Sequence, residues 1–349
     1  MVKKFFLLVA VISILITCSL GLPLMQRVEP PYAPAMGKVA LAIEPEVRRV
    51  IEVRRENGSV DKYVKDGDPI VLQWYSLIAN TLLGLQYTAN RLQVINVDGT
   101  TSYGIDTGFG GCGTQIQIYI SSDESSVPGF TTHSLPDDVI RFDTAESIDI
   151  TGSRAYGVSL SGEYTNRGAS TVIRQIFVTL RYCSDGKARE VMFIADSVDP
   201  PVYVGPEEMV YVEWIVSFPK PCPFLDGFWT AIRPFFGLTS SVDFGVDSSN
   251  GDTVSEILLF SIESKSIPFT ESWYTISESG LAVTFKGSYT VERMTTLTEI
   301  KVLLKTDTDT SDKVRTQTLQ IFIGEGNIVL NEGDVITVFL QVIFKNLFS

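Results

Sequence analysis

The sequence predicts a mainly β protein made of two tandem β-sandwich units, each preceded by a short amphipathic helix. Three observations carry this prediction: strands of alternating apolar and polar residues, regularly spaced turns, and an internal repeat. Alternation is clearest at residues 210–218, where every second side chain is large and apolar. Clusters of Gly, Asp, Ser and Asn, as at residues 166–168 and 185–186, separate such segments, which is typical of sandwich domains.

The internal repeat consists of three strand-like blocks that recur in the same order. Gaps between the two copies fall in turns, so chance similarity is a poor explanation of the three matching blocks. We therefore expect one unit at residues 68–219 and a second at residues 220–349. The paired blocks are residues 158–165 and 283–290, 176–181 and 300–305, and 202–218 and 328–344.

Each unit begins with a segment of helical periodicity. Between residues 70 and 84, the apolar side chains of Trp74, Leu77 and Ile78 fall on one helix face, and Gly84 is a natural stop. The matching segment of the second unit carries Pro234, which predicts a shorter or kinked helix. Both segments are expected to turn their apolar faces toward the sheets.

The N-terminus predicts export. Two lysines precede eighteen uncharged residues, so residues 1–21 are interpreted as a signal peptide or a membrane anchor. Residues 22–36 hold four prolines and predict an extended tether. The protein is expected outside the cell or at its surface, with this N-terminal segment as its membrane contact if it is not cleaved.

Residues 37–67 predict strands and a hairpin. Alternation at residues 37–43 indicates one strand, and the Asn57-Gly58 pair indicates a hairpin turn between two more. Asn57-Gly58-Ser59 is also a glycosylation sequon, which makes Asn57 a candidate site. The hairpin turn alone is sufficient to explain the Asn57-Gly58 pair.

Composition excludes several function classes. The chain has a net charge of −13 and one His. Nucleic acid and anionic membrane surfaces attract clustered Lys and Arg, so neither is expected as a partner of this acidic chain.

An oxidising compartment permits disulfides, and Cys183–Cys222 is the preferred bridge, with Cys112 free or paired between subunits. Buried thiols are the alternative.

Three motifs bear on catalysis. Asp106-Thr107-Gly108 resembles the triplet of aspartic proteases, but Phe109 departs from that pattern and the sequence has no second triplet, so activity would need a dimer. A Gly-rich turn is the favoured interpretation. His133 stands beside hydroxyl residues, but no nucleophile motif accompanies it. Glu207 and Glu208 could pair as the two carboxylates of a glycosidase, but the sequence does not give the distance between their carboxylates. We predict that the chain is not an enzyme.

No cofactor is expected. Oxygen-rich loops at residues 307–312 and 243–252 offer opportunistic Ca²⁺ ligands, although residues 307–318 lack the Gly and Glu of an EF-hand. Solvated hairpin turns are the simpler interpretation. Trp74, Trp214 and Trp229 are assigned to the core, which leaves Trp273 as the ambiguous tryptophan and raises carbohydrate binding as an alternative.

The sequence therefore predicts a non-enzymatic structural subunit of a cell-surface or extracellular assembly. Residues 37–43, after their tether, would add as a strand to a neighbouring subunit. This arrangement resembles archaeal and bacterial surface filaments assembled by strand donation, and the repeat is similar to β-sandwich proteins of virion appendages. The resemblance implies self-association or other surface proteins as partners. The alternatives are an adhesin-like carbohydrate- or surface-binding module and, more remotely, a hydrolase that uses Asp106.

Overall fold

The computed structural model describes residues 37–43, 45–67, 70–105, 114–220, 226–238, 242–243, 258–263, 265–308, 314–321 and 328–348. These residues form a mainly β protein, which confirms the predicted class. Two α-helices lie among the strands: α1 (Leu72–Leu82) and α2 (Asp226–Ile232).

The strands as far as the second helix are β1 (Gly37–Ile43), β2 (Glu46–Arg54), β3 (Val60–Asp66), β4 (Val94–Ile95), β5 (Thr101–Ser102), β6 (Gln115–Ser121), β7 (Ile140–Arg141), β8 (Thr144–Asp149), β9 (Ala155–Thr165), β10 (Thr171–Ser184), β11 (Lys187–Val204) and β12 (Met209–Pro219). The later strands are β13 (Val242–Asp243), β14 (Leu258–Ile262), β15 (Lys265–Pro268), β16 (Glu271–Ser277), β17 (Gly280–Thr290), β18 (Thr295–Leu297), β19 (Ile300–Thr308), β20 (Val314–Ile321), β21 (Ile328–Leu330) and β22 (Val335–Lys345).

Four sheets contain most of these strands. Sheet I has the order β3-β2-β12-β9-β8, and sheet II has the order β11-β10-β6-β7. Sheet III has the order β1-β22-β17-β16, and sheet IV has the order β13-β19-β14-β15 with β20 beside β19. Apolar side chains of all four sheets belong to one continuous core, in which Trp214 of β12 is fully buried.

The N-terminal strands divide between two of these sheets. β1 pairs with β22 of sheet III, whereas β2 and β3 form a hairpin on β12 of sheet I. Two residues, 44 and 45, connect β1 to β2. The segment predicted as a separate N-terminal region therefore links the two sheets.

Helix α1 is buried on every side. All eleven of its residues are buried, so the helix that the sequence predicts to be amphipathic has no exposed face. Trp74 stacks on Phe193 of β11 with ring centroids 4.5 Å apart, and Tyr75 lies 5.1 Å from the Phe344 ring of β22. The helix thus contacts strands of both sheet II and sheet III.

The polar side chains of α1 bond to a loop that covers them. Gln73 Oε1 accepts the backbone N–H of Ile95 at 2.8 Å, and Thr81 Oγ1 accepts that of Ile105 at 3.0 Å. Asn80 exchanges two bonds with the backbone of Leu92, of 2.6 and 2.9 Å. A polar residue at helical spacing can face loop backbone as well as water, and sequence periodicity does not distinguish the two.

The second helix is short, as Pro234 predicts. α2 ends at Ile232, and a 3₁₀ turn follows at Arg233–Phe236. Trp74 Nε1 donates to the carbonyl oxygen of Phe235 at 2.6 Å, which joins this turn to α1. Both Trp74 and Trp229 are buried, in agreement with the sequence interpretation.

Candidate functional site

The first candidate site is the edge of sheet III at which β1 adds to β22. The two strands run parallel, from Gly37 opposite Val338 to Ile43 opposite Phe344. The other strand pairs of the described residues are antiparallel. Backbone pairing of this kind gives affinity with little dependence on side chains. The segment predicted to donate a strand thus lies as a strand on its own chain.

The corresponding side of sheet I is occupied by the β2–β3 hairpin. Arg49 of β2 and Asp196 of β11 form an ion pair at 3.0 Å between the two side chains, and both side chains are more than nine-tenths buried. Lys65 of β3 also contacts the Asp196 carboxylate. Because a buried charge is costly unless it is paired, these contacts fix the hairpin against sheet II.

The far end of the hairpin is held by Arg55. This guanidinium contacts Asp61 and donates to Glu208 Oε2 at 2.7 Å. Glu208 Oε2 also accepts the Gly205 backbone N–H at 2.7 Å, and this bond, followed by Arg55, lowers the pKa of Glu208. Glu207 is exposed with a φ of 60° in the same turn. The contacts of Glu208 are those of a residue that stabilises a turn.

The second candidate site is the outer edge of β16, on the opposite side of sheet III. Trp273, Tyr274 and Ile276 are 40%, 39% and 45% exposed. Trp273 makes an edge-to-face contact with Phe339. Adjacent residues of a strand point to opposite faces, so the Trp273 and Tyr274 rings do not form one flat platform.

His133 lies in the loop between β6 and β7. Its Nδ1 is 3.2 Å from the Thr131 carbonyl oxygen. Nearby in sequence, Asp138 accepts hydrogen bonds from Ser121 and Ser122. Burial raises the pKa of Asp138, but these hydrogen bonds outweigh burial and lower it. The hydroxyl groups of Ser121 and Ser122, at the end of β6, therefore fix the Asp138 carboxylate.

Asn57 lies at the exposed tip of the β2–β3 hairpin. Its Oδ1 accepts the Ser59 backbone N–H at 2.9 Å, and Gly58 has a φ of 81°. These are the features of the turn that the sequence predicts. An exposed tip is also accessible to a glycosyl carrier, so the candidate modification at Asn57 stays a prediction.

Cys183 is disulfide-bonded. The predicted partner, Cys222, and the competing Cys112 both lie outside the described residues. The choice between these two partners stays open to disulfide mapping.

Several predicted sites fall outside the described residues: Asp106-Thr107-Gly108, residues 244–252 and residues 309–312. Within the described residues, no three His, Cys, Asp or Glu side chains are grouped in a way that would hold a metal ion. No helix in this described part is long and apolar enough to cross a membrane.

Sequence reasoning missed two features. The Arg49–Asp196 pair joins residues 147 positions apart, and no local pattern marks it. The edge position of β16 is equally hidden, although its uncharged stretch of aromatic and β-branched residues is a visible signal. Comparison of the chain with protein-family models, curated proteins and solved structures found no match.

Proposed function

We propose that the protein is an exported, non-enzymatic structural subunit of a cell-surface or extracellular assembly, in which copies associate by β-strand addition. The observation that carries this proposal is the parallel pairing of β1 with the edge of β22. β1 is a terminal strand of its sheet, so it can leave without opening the sheet between other strands.

Exchange of β1 between copies would use the same backbone contact. Domain swapping of this type replaces an intrachain pairing by an identical interchain pairing, so few contacts are lost. Residues 44 and 45 join β1 to β2, so this connection is the part of the backbone that would have to change direction for β1 to reach a second copy. Reciprocal exchange between two copies closes as a dimer, whereas one-way exchange from copy to copy is head-to-tail and builds the open chain of subunits that we propose.

We also propose that the chain consists of two copies of one sandwich unit. In sheet I, β12 lies beside β9 and β9 beside β8, and in sheet III, β22 lies beside β17 and β17 beside β16. Sheets II and IV are similar in order, with β11-β10-β6-β7 matching β20-β19-β14-β15. These pairs follow the order of the sequence repeat.

The repeated glycines support the same proposal. A Cβ on Gly162 of β9 would meet Ile118 of β6, and a Cβ on Gly287 of β17 would meet Phe260 of β14. Each glycine thus permits close approach between two sheets at the same position of the repeat. Such a shared packing requirement explains why the block retains a glycine in a strand interior.

A cysteine pair tests strand exchange. Val39 and Leu340 are register partners, so Val39→Cys with Leu340→Cys places two thiols on neighbouring strands. We expect a ladder of covalent multimers on a non-reducing gel at high protein concentration. Each single variant is the control for the native cysteines. A cross-link that stays within the monomer at every concentration would contradict the proposal.

The second candidate function is carbohydrate or surface binding, which the exposure of Trp273 favours. One aromatic ring beside a sheet edge can stack on a sugar, but the Tyr274 ring faces the other side. Glycan binding that is lost in Trp273→Ala and kept in Tyr274→Ala would favour this function over assembly.

A further inference from the structure

Asn57 differs from the other described asparagines in the bonding of its side-chain nitrogen. In the others, Nδ2 donates a hydrogen bond to another group of the chain; these residues are Asn80, Asn90, Asn96, Asn166, Asn331 and Asn346. Asn57 uses only its Oδ1, as an acceptor, and its Nδ2 donates no hydrogen bond to any described residue. No bond to the described part of the chain therefore has to break before this nitrogen can react.

The turn that carries Asn57 is fixed without its nitrogen. The Arg55 N–H donates to the Ser59 carbonyl oxygen at 2.8 Å, and the Gly58 N–H donates to the Arg55 carbonyl oxygen at 2.9 Å. Asn57 Oδ1 accepts the Ser59 N–H at 2.9 Å. Residues 56–60 are all exposed. A substituent on Asn57 Nδ2 would therefore extend into solvent and leave the hydrogen bonds of the turn in place.

The same turn contains the acceptor sequence for an N-linked glycan. Asn57 is followed by Gly58, which is not proline, and then by the hydroxyl residue Ser59. In oligosaccharyl transfer, Nδ2 forms a bond to the anomeric carbon of an oligosaccharide that is linked to a lipid diphosphate. The bond from that carbon to the diphosphate oxygen breaks, the lipid diphosphate leaves, and the transferase takes one amide proton.

We propose that Asn57 carries an N-linked glycan in the exported protein, transferred from a lipid-linked oligosaccharide. Three properties meet at this residue: the acceptor sequence, an exposed side chain and a nitrogen that the turn does not use. The proposal rests on export, which is part of the proposed function. It goes beyond that function because it involves neither β1 nor β22.

The position of Asn57 is compatible with strand exchange. β2 begins at Glu46, next to its connection with β1, and continues to Arg54. A strand rises about 3.3 Å per residue, so the hairpin tip lies on the order of 30 Å along β2 from that connection. A glycan at the tip is therefore remote from the backbone at which β1 would leave its own sheet.

Asn166 is the opposite case and provides a matched control. It is 2% exposed, and its Nδ2 donates to the carbonyl oxygens of Ala169 and Gly205 at 2.9 and 3.0 Å. Gly168→Ser would complete a second acceptor sequence at residues 166–168. A Cβ on Gly168 would meet Asn166 Oδ1 at 3.7 Å, which is an ordinary contact. This variant presents the acceptor sequence on a buried, bonded asparagine.

The test expresses the full chain behind a secretion signal in a eukaryotic host, so that entry into the secretory pathway does not depend on its own N-terminus. We expect the secreted protein to migrate faster on a gel after peptide N-glycosidase treatment, and peptide mass spectrometry to locate the glycan at Asn57. Ser59→Thr should keep the glycan.

Ser59→Ala should lose the glycan, because it removes the hydroxyl group of the acceptor sequence but keeps the backbone N–H that bonds to Asn57. Asn57→Asp is the second variant, since it keeps an acceptor for that N–H and removes Nδ2. A secreted wild type without a glycan, or a glycan that persists in Ser59→Ala and Asn57→Asp, would overturn the proposal.

Gly168→Ser tests whether exposure selects the site. We expect this secreted variant to carry a glycan at Asn57 and none at Asn166, and equal occupancy of the two would contradict the inference. Export is tested separately, with the chain's own N-terminus. A chain that carries the glycan behind the host signal but is not exported by its own N-terminus would refute the export in the proposed function and support the site at Asn57.

Discussion

Sheets I and III have similar strand orders but differ at their edges. In sheet I, a hairpin lies on β12 and is fixed by a buried ion pair, and its outer strand β3 carries lysines. In sheet III, the single strand β1 lies on β22, and the far edge β16 exposes aromatic and aliphatic side chains. The comparison teaches that sheets of similar strand order can differ in what covers their edges, a hairpin fixed by buried charges in one and a single strand in the other.

The largest expected effect concerns the buried charges that fix the hairpin of sheet I against sheet II. Asp196→Ala removes a buried acceptor that Arg49 and Lys65 share, and we expect a loss of about 3 kcal/mol in the free energy of unfolding. Urea unfolding measures this loss. Glu124→Ala is the control, because its pair with Arg174 is largely exposed and is worth less than about 1 kcal/mol. Similar losses for the two variants would show that the hairpin is not held by this ion pair.

The repeated glycines allow a direct comparison of the two units. A Cβ on Gly162 would lie 2.4 Å from the Thr144 carbonyl oxygen, whereas a Cβ on Gly287 would lie 2.5 Å from a ring carbon of Phe260. A backbone carbonyl group moves aside less readily than the ring of a side chain. We expect Gly162→Ala to destabilise by about 3 kcal/mol and Gly287→Ala by about 1 kcal/mol.

Thermal and urea unfolding measure the loss of stability in Gly162→Ala and in Gly287→Ala. Gly152→Ala is the matched control, because no atom lies within 4 Å of a Cβ at that position. A larger loss for Gly287→Ala than for Gly162→Ala would reverse the order that these contacts predict.

A smaller effect concerns acid stability at the hairpin end. The pKa of Glu208 is lowered from 4.5, so its carboxylate stabilises the fold above that value and loses this contribution as the pH falls through the folded pKa. We expect Glu208→Gln to be less stable than wild type at neutral pH and to approach it in acid. Urea midpoints against pH measure the difference. A difference that is constant with pH would exclude this role.

The smallest effect is expected at the open edge of sheet III. Trp273 is partly exposed and contacts Phe339 edge to face, so Trp273→Ala should cost less than about 1 kcal/mol. Thermal unfolding is the measurement, with Trp214→Ala, a fully buried position, as the contrast. A loss as large as that of Trp214→Ala would mean that Trp273 belongs to the core.

Local patterns predicted the elements of this fold better than their partners. Alternation found the strand that contains Trp214, and Pro234 indicated where α2 would end. The sequence could not predict that β1 pairs with β22, because Val39 and Leu340 are far apart in the chain and a strand pattern does not name its neighbour. For the same reason, the edge position of Tyr274 followed only from the sheet order.

The central claim is self-association by strand addition, and the mass distribution of the purified chain tests it most directly. Light scattering and electron microscopy would compare the full chain with a chain that lacks residues 37–43. The account predicts concentration-dependent polymers for the full chain and their loss in the deletion. A strictly monomeric full chain, or polymers that persist without β1, would contradict it.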